Sequence, residues 1–243
     1  MQLDLQKSVL RWRVSGPTNV QTIYGQRIFS REAVPAWKTQ VYTEVPETGL
    51  AEVAFVGRSN VSYMRRSLNT WFDAKMQKFR QTGKSTCINF LTNQSLAKTS
   101  KKPGRTRSIN GFIIPGKIGL VDLPGYGMGS REAWGVEIMK YLKERKLLRR
   151  VFVLIGSDCG FKETDRMMLS NLNDLGISYQ ILITKIDKLK KHPEALSALF
   201  FEAKNIIETY GSSGFPEILG IKCIQPVAGI SNLRWAILRA CGW

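Results

Sequence analysis

The sequence predicts an α/β fold: a mostly parallel sheet of six strands with helices on both faces. Three observations predict it. From residue 52 onward, short apolar runs alternate with longer segments of helical composition, the pattern of strands joined by crossover helices. The runs at 53–56 (VAFV), 151–155 (VFVLI) and 180–183 (QILI) are almost continuously apolar, as strands covered on both faces are. The residues with chemical character cluster just after such runs, at the carboxyl ends where sheets of this kind bind ligands.

The strand at 53–56 ends at Gly57. Residues 83–92 follow a glycine-rich turn and read as the first helix, and 98–107 as a basic loop containing Pro103 and Gly104. Two strands, 111–114 and 118–121, are joined by Pro115-Gly116-Lys117, a hairpin signal. Residues 131–146 are helical by length and composition, and 151–155 form the next strand. A helix over 163–175 stops at Gly176, a C-terminal cap, and precedes the strand at 180–183. Residues 193–210 form a helix with Pro193 in its first turn. A last strand at 219–224 and a last helix at 230–239 complete the domain, 49–243. Residues 1–48 are polar, contain Pro17, Pro35 and Pro46, show no sustained period and read as an extension.

The 243 residues carry 36 Lys and Arg against 19 Asp and Glu, a net charge of +17. Such a field draws polyanions and favours nucleic acid as partner over an anionic membrane, since no basic amphipathic anchor stands out. No apolar run approaches the roughly 18 residues that a membrane helix needs, so stable membrane insertion is not expected. The four cysteines, Cys87, Cys159, Cys223 and Cys241, include no CxxC pair, which argues against zinc and a disulfide framework and for a reducing compartment. The single histidine, His192, lies in a polar loop and supports no triad. Lys7, Arg11 and Arg13 against Asp4 make a weak organelle-targeting signal without a secretory apolar core.

The most informative motif is cut in two. Gly57-Arg58-Ser59-Asn60 begins a phosphate-binding loop (GxxxxGK[ST]), yet Thr82-Gly83-Lys84-Ser85-Thr86 follows only after residues 61–81. Without those 21 residues the text reads GRSNTGKST. In such a loop successive backbone N–H groups curl around a phosphate at a helix N-terminus. Lys84 would reach the β- and γ-phosphates and Ser85 would ligate Mg²⁺. Asp122-Leu-Pro-Gly125, after a hydrophobic strand, places an acid that holds Mg²⁺ through a water and an N–H on Gly125 for the γ-phosphate. Thr184-Lys185-Ile186-Asp187 follows another buried strand. Asp187 can accept from guanine N1–H and N2–H₂, a paired contact adenine does not offer, with the Lys185 stem over the base. Thr106, in a loop between the first helix and second strand, can complete the Mg²⁺ shell. Cys223-Ile224 stands where a Ser-Ala-like turn would back the guanine, a degenerate match. Together these make a guanine-nucleotide site, with Lys84 and Thr106 as the catalytic pair.

The wording EVAFVGRSN (52–60), KPGRT (102–106), VDLPGYG (121–127) and TKIDKL (184–189) resembles the EngB (YihA-type) GTPases over roughly residues 50–240. The resemblance implies a Ras-like P-loop fold, GTP and Mg²⁺ binding, and a role in assembling the large ribosomal subunit, with eukaryotic members mostly organellar. A mitochondrial location is the expectation, cytoplasmic the alternative. Carried over by position, the site takes in Gly57, Arg58, Ser59, Asn60, Thr82–Ser85, Gly104, Arg105, Thr106, Asp122 and Gly125, with Ser85 and Thr106 on Mg²⁺. Asn60 matches an asparagine linked in related GTPases to K⁺. Tyr126 follows Gly125, where many Ras-like enzymes place a water-orienting Gln, so slow hydrolysis is expected. The expected partners are GTP or GDP and ribosomal RNA or a large-subunit precursor, with the chain a monomer.

Two readings compete for residues 61–81, VSYMRRSLNTWFDAKMQKFRQ, with five basic residues and one acid. One is a lobe tethered at the phosphate loop. The other, which we favour, is a translated intron: Val-Ser permits a splice donor, the closing Gln an acceptor, and removal restores the motif with no residue missing. A non-catalytic RNA-binding protein with an inactivated domain is the functional alternative. Two basic clusters suit RNA: Lys98, Lys101, Lys102, Arg105 and Arg107, and Lys140, Lys143, Arg145, Lys146, Arg149 and Arg150.

Overall fold

The computed structural model describes residues 11–12, 16–58, 82–97, 108–126 and 132–243. Eight strands form one sheet, two more than the sequence predicts: β1 (Arg11–Trp12), β2 (Val34–Thr39), β3 (Glu52–Gly57), β4 (Ile109–Ile114), β5 (Ile118–Asp122), β6 (Leu148–Gly156), β7 (Tyr179–Thr184) and β8 (Ile218–Ile221). Their order is β1-β8-β7-β6-β3-β5-β4-β2. The five central strands, β8 to β5, run parallel. The hairpin partner β4 is antiparallel to β5, and the outer strands β2 and β1 are antiparallel to β4 and β8. Both additional strands come from the segment that the sequence presents as an extension.

β3 and β7 are buried along their whole length, which is why the runs 53–56 and 181–183 within them are apolar without a break. Their neighbours are in register: Phe55 pairs with Asp122 and Phe152, Gly156 with Thr184, and Thr184 with Ile221. Gly57, Asp122, Gly156, Thr184 and Ile221 therefore gather at one edge of the sheet.

Helices α1 (Asn19–Phe29), α2 (Lys84–Thr92) and α6 (Ile230–Ala240) contribute Ile28, Phe29, Ile88, Leu91, Leu233 and Ile237 to the core on one face. Helices α3 (Glu132–Glu144), α4 (Glu163–Asp174) and α5 (Pro193–Tyr210) contribute Ile138, Leu142, Leu169, Leu172, Phe200 and Ile206 on the other. Each such side chain contributes on the order of 1.5–3 kcal/mol by leaving water. α1 begins with a reciprocal cap: Thr18 Oγ1 accepts the Gln21 N–H (3.2 Å) and Gln21 Oε1 accepts the Thr18 N–H (2.9 Å).

A buried ion pair ties the sheet to its helical layer. Glu52, at the start of β3, accepts from Arg145 Nε (2.9 Å), Arg145 Nη2 (2.6 Å) and the Tyr141 hydroxyl (3.0 Å). Arg145 is thus a strut between β3 and the end of α3 and is withdrawn from the basic cluster in which the sequence places it. Arg150 is withdrawn as well: it is buried, donates to Gln180 Oε1 (2.9 Å) and lies over the Phe215 ring. Burial pushes its guanidinium down to about 10. Lys143, Lys146 and Arg149 remain exposed. The last strand stops at Ile221, short of the predicted 224, because Lys222 instead bridges back to Ala228. Among the described residues no helix is long and apolar enough to cross a membrane.

Candidate nucleotide-binding site

β3 ends at Gly57, and a Cβ there would lie 2.6 Å from Thr82 Oγ1. The two halves of the split motif therefore meet at Gly57 and Thr82, across the 21 intervening residues. Thr82 is buried, and its carbonyl accepts from Thr184 Oγ1 at 2.7 Å. The base-reading segment thereby holds the second half of the phosphate loop directly. Gly83 adopts φ +80° as the N-cap of α2, a conformation L side chains resist. Lys84, Ser85 and Thr86 then form the first turn of α2, with the positive end of the helix dipole facing Gly57.

Lys84 is buried, and its ammonium contacts the buried Asp122 carboxylate at the end of β5. β5 continues beside β3 through the Leu123 N–H, which donates to Phe55 O (3.1 Å), and the Tyr126 N–H, which donates to Gly57 O (3.2 Å). Gly125 is so placed between two anchored residues next to the loop.

Thr184 ends β7, and Lys185 turns the chain with φ +57°. Its ammonium pairs with Asp158 (3.2 Å), and Ser157 Oγ donates to its carbonyl (2.6 Å). Asp187 lies in the half-buried turn Ile186–Leu189. Cys223 is close enough for the Asp187 charge to act on its thiol. The Cys223 thiol lies beside that of the buried Cys87 of α2, a pairing that lowers the pKa of Cys223 and, with burial, raises that of Cys87. The degenerate Cys223 thus faces the phosphate helix, packed against the core that contains Cys87, while Ile224 is exposed. Ser59, Asn60, Gly104, Arg105 and Thr106 lie outside the described residues, as do 61–81 and the basic cluster at 98–107.

Sequence reasoning missed a second layer. Arg58, one residue into the loop, donates to Gly160 O (2.8 Å) and pairs with Asp165 (3.0 Å). The Tyr126 hydroxyl donates to the same carboxylate (2.7 Å). Burial, then the Asp165 charge, pushes the Tyr126 pKa well up and keeps it a donor. Burial also raises the Asp165 carboxyl, against the pull of Tyr126 and Arg58.

The arrangement can hold a phosphate chain between the α2 N-terminus, Lys84 and the Gly57 turn, with a purine between Asp187 and Cys223. The model of the 50S ribosome-binding GTPase family matches residues 79–185. A relative from Bartonella quintana named "Probable GTP-binding protein EngB" is 35% identical over 88% of this chain and 94% of its own length. The protein of that name from Caulobacter vibrioides is 36% identical over 81% of this chain and 78% of its own. The chain belongs to the EngB family.

Membership makes it a GTP-binding protein with a GTPase domain. The fold is Ras-like. Era from Aquifex aeolicus, solved with GDP and aluminium fluoride, superposes with a TM-score of 0.58 at 20% identity, covering 80% of this chain and 57% of Era. Era solved with MgGDPNP and part of 16S ribosomal RNA gives 0.57 at 19% identity, with the same coverage. The chain spans little more than half the length of those two neighbours.

Proposed function

We propose that the protein is a GTP-hydrolysing switch acting in assembly of the large ribosomal subunit, in mitochondria. The observation that carries the nucleotide part is the apposition of Gly57 and Thr82, because a cradle left open there could not enclose a phosphate. Hydrolysis then needs charge stabilisation more than covalent chemistry. Lys84 would stabilise the negative charge that develops on the transferring phosphate, and the first-turn amides of α2 would add fixed dipoles. Ser85 and Asp122 offer the hard oxygen donors that Mg²⁺ takes, and Asp122 already faces a cation in Lys84. That ion would supply positive charge to offset the charge of the phosphates. Thr106 would complete its shell, and Asn60 would serve a K⁺ ion.

The ribosomal part rests on the family, on the charge of +17 and on the exposed cations at the α3–β6 junction. The mitochondrial part rests on the basic residues Lys7, Arg11 and Arg13. A titration with fluorescent GTP tests the core of the reading. Saturable binding with slow release of phosphate supports it. RNA binding without any nucleotide binding would leave a scaffold with an inactive domain. A fluorescent fusion that stays out of mitochondria would remove the location.

A further inference from the structure

We propose that Asp165 is a positioning residue for the GTP reaction, holding both the first half of the split cradle and the segment after Gly125 on the first turn of α4. The inference rests on the nucleotide reading above and deepens it.

Asp165 is fully buried. Its Oδ2 accepts the Lys162 N–H (2.8 Å), which fixes the carboxylate to the start of α4. The same oxygen pairs with Arg58 Nε (3.0 Å), and Oδ1 accepts from the Tyr126 hydroxyl (2.7 Å). Arg58 directly follows Gly57, where the loop begins, and Tyr126 directly follows Gly125. The backbones of Arg58 and Tyr126 are also bridged to each other. One carboxylate therefore adds a side-chain tie to the backbone bridge between the two segments that carry Gly57 and Gly125.

The arrangement matters more here than in an uninterrupted loop. With 21 residues following Asn60, the covalent path to Thr82 gives the first half little guidance. Arg58, clamped to Asp165 and Gly160 O, supplies that guidance through its side chain. Tyr126, buried and turned toward α4, is committed to this clamp, so its hydroxyl orients Gly125 rather than the attacking water.

The two arms of the clamp predict different losses. The Gly125 N–H meets only a third phosphate, whereas the loop at Arg58 serves diphosphate and triphosphate alike. The full-length chain and its Tyr126→Phe and Asp165→Asn variants are titrated with fluorescent GDP and with a fluorescent non-hydrolysable GTP analogue. Y126F weakens the analogue about fivefold or more, on the order of the net worth of one ordinary hydrogen bond, and leaves GDP within about twofold. D165N weakens both by about tenfold, and adding Y126F to D165N changes little further. Near-UV circular dichroism confirms that Y126F, the milder change, stays folded. Equal losses for both nucleotides in Y126F, or additive losses in the double variant, overturn the proposal. A wild-type chain that binds neither probe overturns the GTP reading itself and this proposal with it, a result recognisable before any variant is made.

Discussion

A Cβ on residue 57 would meet Thr82 Oγ1 at 2.6 Å and Leu154 Cβ at 3.2 Å, so Gly57→Ala forces the loop halves apart. The leverage is large because the Thr82 backbone is held from behind by Thr184 and Leu154 Cβ and O close the other side at 3.2 Å. G57A should lower affinity for GTP and GDP by about tenfold or more, roughly 1.4 kcal/mol, as read by isothermal calorimetry. Affinity unchanged from wild type would mean that the halves need not touch. At this scale the sequence was informative wherever chemistry is local: Lys84 and Ser85 open a helix behind Gly83, while Asp122, Thr184 and Asp187 lie at or just after strand ends. Asp165 was silent, and so were the contacts that Arg58 and Tyr126 make with it. The three are far apart in the chain, and a carboxylate in the first turn of a helix reads as an ordinary helix start. Cys223 looked like a lapse from the motif, because a thiol's partner on α2 is invisible without the fold.

The elements that were easy to read are those the core makes one-dimensional. β3, β6 and β7 lie between two helical layers, and their central residues 53–56, 151–155 and 181–183 are apolar without a break. The turn Pro115-Gly116-Lys117 closes as predicted, with the Lys117 N–H donating to Ile114 O (3.0 Å). α1 and β2 escaped notice for physical reasons. α1 buries only a narrow stripe and leaves Val20 and Ile23 largely exposed, which blurs its period. β2 is mostly exposed, carries Pro35 and is interrupted by a bulge between Pro35 and Trp37, as edge strands tolerate. Among connections, the segment 61–81 is the one with a functional cost. Closing a loop of that length takes entropy that grows slowly with length, and the Gly57–Thr82 contact must be held against it. The chain lacking 61–81 should therefore bind GTP more tightly than the full chain, by about three- to tenfold in a calorimetric titration. Equal affinities would show that the halves close without cost. Transcripts that all retain the corresponding codons would end the intron reading.

For the molecule as a whole, charge and stability separate cleanly. Lys143, Lys146 and Arg149 project from one corner, while Arg145 of the same stretch is committed to Glu52. Replacing those three by Gln should flatten the dependence of ribosomal RNA binding on log salt, by roughly 0.7–0.9 for each phosphate no longer engaged. An unchanged slope would move the RNA face elsewhere. Glu52→Gln supplies the contrast: breaking a buried pair costs about 3–5 kcal/mol, seen as a lower denaturant midpoint with the salt slope intact.

The two flanks of the sheet are sealed by strands that are made first. Arg11 and Trp12 find their partners in Leu219 and Ile218, nearly a chain's length away, so during synthesis the opening strand must stand idle until almost everything else exists. A product cut short before residue 218 would expose the side of β7 as a row of unmatched amides and carbonyls, a surface prone to self-association. Any product that reaches β8 hides that border, so the last strand of the sheet is also the one that ends its exposure.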